Sequence, residues 1–147
     1  MSLGYFEVAV YQPKAAVNVG TLWRTAYQLG CAGLHVIGER WKRARQASDT
    51  VKSWRHVPAR EWSDFDAFFA GLPHDAPLVG VEMGGKPLAQ FTHPERAVYL
   101  LGAEDYGIPR DVLSRCHQVV SLESVRTESF NVAVAGAIVL YDRVFSR

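Results

Sequence analysis

Three short segments place polar or charged side chains beside glycines, in positions where each could serve a ligand. The first is Asn18-Val-Gly20-Thr-Leu-Trp-Arg24, which puts an amide and a guanidinium on one predicted helix just after a strand. Taken alone this segment is a weak signal, since an arginine on a helix surface is usually only a solvated cation. The second is Leu101-Gly102-Ala103-Glu104-Asp105-Tyr106-Gly107, where a buried-type strand runs into a loop with two acids between glycines. Backbone without a Cβ lets a ligand approach closely, and the acids stand where a strand end meets solvent. The alternative is that Glu104 or Asp105 only caps a helix starting at Pro109. The third is Ser129-Phe130-Asn131 ahead of the apolar run Val132 to Tyr141, where either Ser129 or Asn131 can cap the last helix. Within that run Ala133, Ala135, Gly136 and Ala137 leave room for another backbone element or a partner subunit.

The familiar catalytic patterns fail. Gly80-Val-Glu-Met-Gly-Gly85-Lys86 has the glycine and lysine spacing of a phosphate loop, but Pro87 stands where a magnesium-binding hydroxyl is needed. It reads better as a glycine turn after a strand. No G-x-G-x-x-G and no G-x-S-x-G occurs, and the five histidines lack zinc spacing. Cys31 and His35 are separated by Gly33 and the start of a strand, so both are read as structural.

The elements that must position these groups alternate between strand and helix. Strand patterns cover Tyr5 to Tyr11, Leu34 to Ile37, Leu78 to Val81, Val98 to Leu101 and Val119 to Leu122. Helices are expected from an Asn18 cap to Leu29, ended by Gly30; from a Ser63 cap over Asp64 to Leu72; from Pro109 to Arg115; and from Asn131 to Phe145. The pattern predicts one α/β domain over residues 1–147, a mostly parallel sheet with helices on both faces. In such sheets ligands bind at the carboxyl ends of strands, which directs attention to the loops after Val81, Leu101 and Leu122.

Composition agrees with one globular domain: 147 residues, 48% apolar and 21% charged. Two cysteines and an unremarkable start, MSLGYFEV, predict reduced thiols and a cytoplasmic protein. The longest apolar stretch, Val132 to Tyr141, falls short of the ~20 residues of a membrane span. The net charge of +1 hides a local basic segment between Arg40 and Arg60, in which Arg40, Lys42, Arg43, Arg45, Lys52, Arg55 and Arg60 stand against the single acid Asp49 and interleave with Trp41 and Trp54. Cations for phosphates and indoles for unpaired bases suit RNA, whereas the plain alternative is a solvated helix and loop.

The three opening segments, in this order, resemble the motifs of the SpoU/TrmH group of SPOUT RNA methyltransferases: N-x-G-x-x-x-R, then L-G-x-E-x-x-G, then S-x-N before the last helix. Here these are Asn18, Gly20 and Arg24; Leu101, Gly102, Glu104 and Gly107; Ser129 and Asn131. The similarity spans almost the whole chain and is nearest to the minimal, TrmL-like members that methylate the tRNA wobble nucleotide. It implies methyl transfer from S-adenosyl-L-methionine to a ribose 2′-hydroxyl of RNA, tRNA before ribosomal RNA, with no metal. A knotted RNA-binding protein without activity and a generic nucleotide-binding domain are the competing readings. By resemblance, Val81, Glu82, Gly102, Ala103, Leu122, Ser129 and Phe130 hold the cofactor. Asn18, Arg24, Glu104, Ser129 and Asn131 form the catalytic group, with Arg24 at the reacting hydroxyl. A deep C-terminal trefoil knot and a homodimer, in which Arg24 of one chain approaches the cofactor of the other, are also implied. Two departures bear on the RNA target: Ala103 replaces a common proline, and the loop Ser121 to Glu128 has no proline.

Overall fold

The computed structural model describes residues 3–40, 55–126 and 129–146. Strands β1 (Tyr5–Tyr11), β2 (Leu34–Ile37), β3 (Ala59–Trp62), β4 (Leu78–Pro87), β5 (Arg96–Leu101) and β6 (Gln118–Ser121) form one sheet in the order β3-β2-β1-β5-β4-β6. Every pairing in it is parallel. Parallel strands need crossovers, and α1 (Ala16–Gln28), α2 (Phe65–Ala70) and α3 (Arg110–Leu113) lie in three of them, while α4 (Val132–Phe145) follows the last strand.

Side chains alternate between the two faces with the period of a strand. Val8, Val10, Leu34, Val36, Tyr99 and Leu101 meet α1 and α4 on one face. Ala9, Ile37, Leu78, Val98 and Leu100 meet α2 and α3 on the other. Because both faces are buried, these strands read as unbroken apolar runs, and the expected architecture of a parallel sheet between helical layers is what forms. No helix among the described residues is long and apolar enough to cross a membrane.

The boundaries depart from expectation at instructive points. Strand β3 has no apolar run; it is an edge strand held by its register on β2, with Leu34 opposite Ala59 and Ile37 opposite Trp62. Asn18 does not cap α1, which begins at Ala16 after Ala15 and has no local side-chain cap. Asp64, and not Ser63, caps α2 by accepting the Ala67 N–H at 2.8 Å. Asn131 does cap α4, accepting the N–H groups of Ala133 and Val134 at 2.9 and 3.2 Å. Gly136 is the close-packing point on α4: a Cβ there would lie 2.5 Å from Leu22 of α1 and 2.9 Å from Leu101. The backbone element that the small residues admit at this point is therefore α1 of the same chain.

Far from the strand ends that carry the loops of interest, Arg143 of α4 is fully buried. Its guanidinium donates to the carbonyls of Pro94, Leu3 and Glu95 at 2.7, 3.1 and 2.8 Å and to the Tyr99 hydroxyl at 3.0 Å. It also lies 4.8 Å from the Phe6 ring centroid. The same Tyr99 hydroxyl bonds His93, which bonds Asp142. Cys31 and His35 are core groups as expected. Burial pushes the Cys31 thiol up to about 12, so it stays protonated. His35 accepts from the Trp62 indole at Nδ1 and therefore donates from Nε2 to Glu7, 2.6 Å away.

Candidate active site

Strands β5, β4 and β6 are neighbours, and their carboxyl ends meet the start of α4 around a cleft of ≈ 450 Å³. The loops after Val81, Leu101 and Leu122 all contribute to it. The first of these is a bulge: Val81 and Lys86 both pair with Val120, so residues 82–85 leave the ladder and hold Glu82 and Met83 over the cleft. The glycine-rich segment that mimics a phosphate loop is this bulge.

Glu82 turns inward and fixes the neighbouring loop. Its carboxylate accepts the Ile108 N–H at 2.9 Å and the Met83 N–H at 2.9 Å. Ala103 and Gly107 exchange two backbone bonds at 3.1 and 2.9 Å, closing the turn that contains Glu104, Asp105 and Tyr106. Gly107 needs its lack of a side chain, since φ is +70° and a Cβ would stand 2.5 Å from Glu82 Oε2.

Glu104 does not cap α3. It reaches instead to the start of α1, where its two oxygens accept the Lys14 N–H at 2.7 Å, the Ala15 N–H at 3.1 Å and the Asn18 amide at 2.9 Å. A carboxylate at the positive end of α1 replaces the missing local cap and explains why Asn18 is free to sit inside the first turn. Partial burial pushes the Glu104 carboxyl upward, but the bonds from Asn18, Lys14 and Ala15 outweigh it and hold the group below the usual range. Asn18 in turn accepts from the Asn131 amide at 3.2 Å, and Asn131 caps α4. One hydrogen-bonded chain thus joins a residue from each of the three sequence motifs.

Asp105 does not cap α3 either. It makes a two-pronged pair with Arg40, both contacts at 3.0 Å, and the Arg40 bond holds its carboxyl below the usual range. Arg40 also donates to the Gln12 carbonyl at 2.7 and 3.2 Å and lies over the Tyr106 ring, 5.3 Å from its centroid. Gln12 has φ +49°, a left-handed conformation unusual for a residue with a side chain. The loops after β1, β2 and β5 therefore converge at one rim.

Val81, Glu82, Gly102, Ala103, Leu122, Ser129 and Phe130, the residues expected to face one ligand, all line the cleft. Glu104 and Asn131 line it as well, and Asn18 is one hydrogen bond behind them. Arg24 does not line it. It is three residues after Thr21 on α1, on the side away from the buried Val19, Leu22 and Ala26. Arg40 and Arg55 are exposed; Lys42, Arg43, Arg45 and Lys52 lie outside the described residues. Sequence reasoning passed over Met83, Asp105, Tyr106 and Ser124 as lining residues, although Asp105 and Tyr106 fill the open positions of the L-G-x-E-x-x-G segment. None of the described lysines or arginines lines the cleft, whose lining includes Glu82, Glu104 and Asp105, the last of them paired with Arg40 at the rim. Such a cleft favours a cationic ligand and disfavours a polyphosphate.

Comparison with known proteins follows the same direction. The SpoU rRNA Methylase family matches residues 5–141. No curated protein matches the chain. A solved structure concerned with the 2-OH methylation of C/U34 on tRNA superposes with a TM-score of 0.85 at 27% identity, over 99% of this chain and 100% of that one. The SpoU methyltransferase AviRb from Streptomyces viridochromogenes, in complex with AdoMet, gives 0.86 at 24% identity over 100% of this chain and 59% of its own. The A. aeolicus TrmH/SpoU tRNA modifying enzyme gives 0.81 at 18% identity, over 96% and 76%. The last two likenesses are of fold.

Proposed function

This chain belongs to the SpoU rRNA methylase family, and from that premise we propose that it transfers a methyl group from S-adenosyl-L-methionine to a ribose 2′-hydroxyl of RNA, with tRNA the favoured substrate. The observation that carries the reading is the cleft at the ends of β4, β5 and β6, framed by residues of all three motifs. The tRNA preference rests on the likeness to the structure concerned with 2-OH methylation of tRNA, which this chain covers end to end.

The residues present fit the cofactor. Val81, Leu101, Leu122 and Phe130 offer an apolar wall that would take an adenine ring, and the backbone of the Gly102 to Gly107 turn lines the same space. The carboxylates of Glu82 and Glu104 in the lining suit a ligand with a positive sulfur and an ammonium group. When bound, S-adenosyl-L-methionine supplies an electrophilic methyl group on that sulfur. Glu104, Asn18 and Asn131 hold the loops of the cleft in place, so that the 2′-hydroxyl oxygen meets a fixed target. Glu104 is a poor proton acceptor, since three N–H bonds already stabilise its charged form. Arg24 is a poor base for another reason, a guanidinium pKa above about 12. Its part is to orient the ribose or its phosphate; the hydroxyl proton leaves to solvent water as the oxygen takes the methyl group and the sulfur departs as a neutral thioether.

Arg24 reaches the cleft from a second copy of the chain in this reading. Val134, Tyr141 and Phe145 on α4 are 46%, 58% and 62% exposed, and with Ile138 they follow the 4-3-4 spacing of one helix face. An apolar stripe of that kind on a helix is covered in a stable protein, and α1 packs beside it. The trefoil knot is proposed on family grounds alone. An experimental backbone trace that straightens when its ends are pulled would refute it.

The test is calorimetric titration with S-adenosyl-L-methionine, followed by transfer of labelled methyl to total tRNA and to ribosomal RNA. One site per chain and label on tRNA, abolished when the target ribose is 2′-deoxy, is the expected result. No cofactor binding by folded protein refutes the reading. Val134→Asp should yield a monomer without transfer activity, and an active monomer refutes the shared site.

A further inference from the structure

We infer that Tyr106 and Arg40 form a shelf at the rim of the cleft that receives an unpaired nucleotide of the RNA substrate, and that Asp105 holds the shelf's cation until the RNA arrives. The inference rests on the RNA-directed function proposed above and adds to it a recognition element. Tyr106 lines the cleft with 53% of its surface exposed, a large value for an aromatic side chain beside a site. One face of its ring is backed by the Arg40 guanidinium at 5.3 Å, which leaves the rest of the ring open to a ligand. Backing by a cation also steadies the ring in place. An exposed aromatic face next to an arginine is the pairing that stacks on a base and neutralises the adjoining phosphate.

Every nitrogen of the Arg40 fork is occupied, two by Asp105 and two by the Gln12 carbonyl, one of them shared. A phosphate presents two oxygens in the arrangement the Asp105 carboxylate now presents, so it can take the same fork in exchange. The exchange is easy because the pair is exposed, with 34% and 38% of the two side chains accessible, and exposed pairs are weak. The Gln12 carbonyl stays behind the fork and keeps it aimed at the rim. Arg40 is also the first residue of the basic segment in the sequence.

The test uses the full chain and two ligands measured apart: S-adenosyl-L-methionine by calorimetry, and a 2-aminopurine-labelled single-stranded oligoribonucleotide, with total tRNA as a second RNA, by fluorescence and filter binding. Tyr106→Ala should weaken RNA binding about 5- to 150-fold, the loss of one stacked base. Tyr106→Phe should restore it, and Tyr106→Ala should change the cofactor affinity by a smaller factor than the RNA affinity. Asp105→Asn should tighten RNA binding about 2- to 5-fold at low salt, since it releases Arg40 and removes a negative charge from the phosphate path. Tyr106→Ala with undiminished RNA binding overturns the shelf alone. A loss confined to the cofactor also overturns it, and assigns the ring to the cofactor instead. Wild-type protein that binds the cofactor and no RNA overturns the function on which the shelf rests, and the shelf with it.

Discussion

Replacing Glu104 by Gln keeps the size of the side chain and removes one acceptor. The carboxylate takes three N–H donors, from Lys14, Ala15 and Asn18. A carboxamide has one oxygen, so its NH2 must face either the Lys14 N–H or the Ala15 and Asn18 donors, and at least one donor is left facing another. A hydrogen bond to a charged group contributes about 1.5–3 kcal/mol, and a negative charge at a helix start about 0.3–1 kcal/mol. Water reaches Glu104, so these figures are discounted to a total of about 1–2 kcal/mol. Urea unfolding at fixed protein concentration should show that gap at pH 7, with the variant melting about 2–8 °C lower. The pH dependence follows from the direction of the shift. The folded carboxyl titrates below its unfolded value of about 4.3, so its contribution is full above that value and is lost as pH falls through the folded one. The gap between the proteins should stay level from pH 8 to about 5 and close below about 4. A variant as stable as wild type at pH 7, or a gap that persists unchanged at pH 3.5, refutes the capping role of Glu104.

Arg143→Met should cost about 3–5 kcal/mol in urea unfolding, because three carbonyls and the Tyr99 hydroxyl lose a buried donor; a loss under about 1 kcal/mol means that other groups or water satisfy them. Gly107→Ala should weaken S-adenosyl-L-methionine binding at least tenfold, since the new Cβ meets Glu82 and φ +70° adds about 1–2 kcal/mol of strain; unchanged calorimetry would show that the turn tolerates a side chain. Arg43→Ala with Arg45→Ala should lower the slope of log affinity against log salt by nearly 2 for tRNA, and an unchanged slope rejects that segment as a phosphate contact.

The strands and both helical layers were legible because a sheet buried on two faces demands apolar runs, and Leu34 to Ile37 or Val98 to Leu101 can hardly be anything else. Strand β3 was not, since Ala-Arg-Glu-Trp owes its conformation to the neighbouring β2 and not to its own residues. Helix caps were read from local sequence, and that rule held for Asn131, where the cap is local, and failed for Asn18, where it arrives from Glu104 on another loop. The loops of the cleft could be foreseen because ligands bind at the carboxyl ends of parallel strands, whereas the lining residues themselves, Ser129 and Phe130 among them, came from the family resemblance. The Arg40 and Asp105 pair could not, because nothing in the sequence shows that the loops after β2 and β5 meet.

The chain of bonds from Glu104 through Asn18 to Asn131 also dictates when the site can exist. Asn18 and Asn131 are 113 positions apart in sequence, and Asn18 and Glu104 are 86 apart. Closing spans of that length costs more conformational entropy than closing a local turn, so these contacts belong to the late, slow stage of folding. A nascent chain that has made β1 and α1 still lacks the acceptor for the first turn of α1, and one that has made β5 still lacks the far wall of the cleft. The cleft therefore gains its last wall, from Ser129 to Ala135, only when the final helix docks.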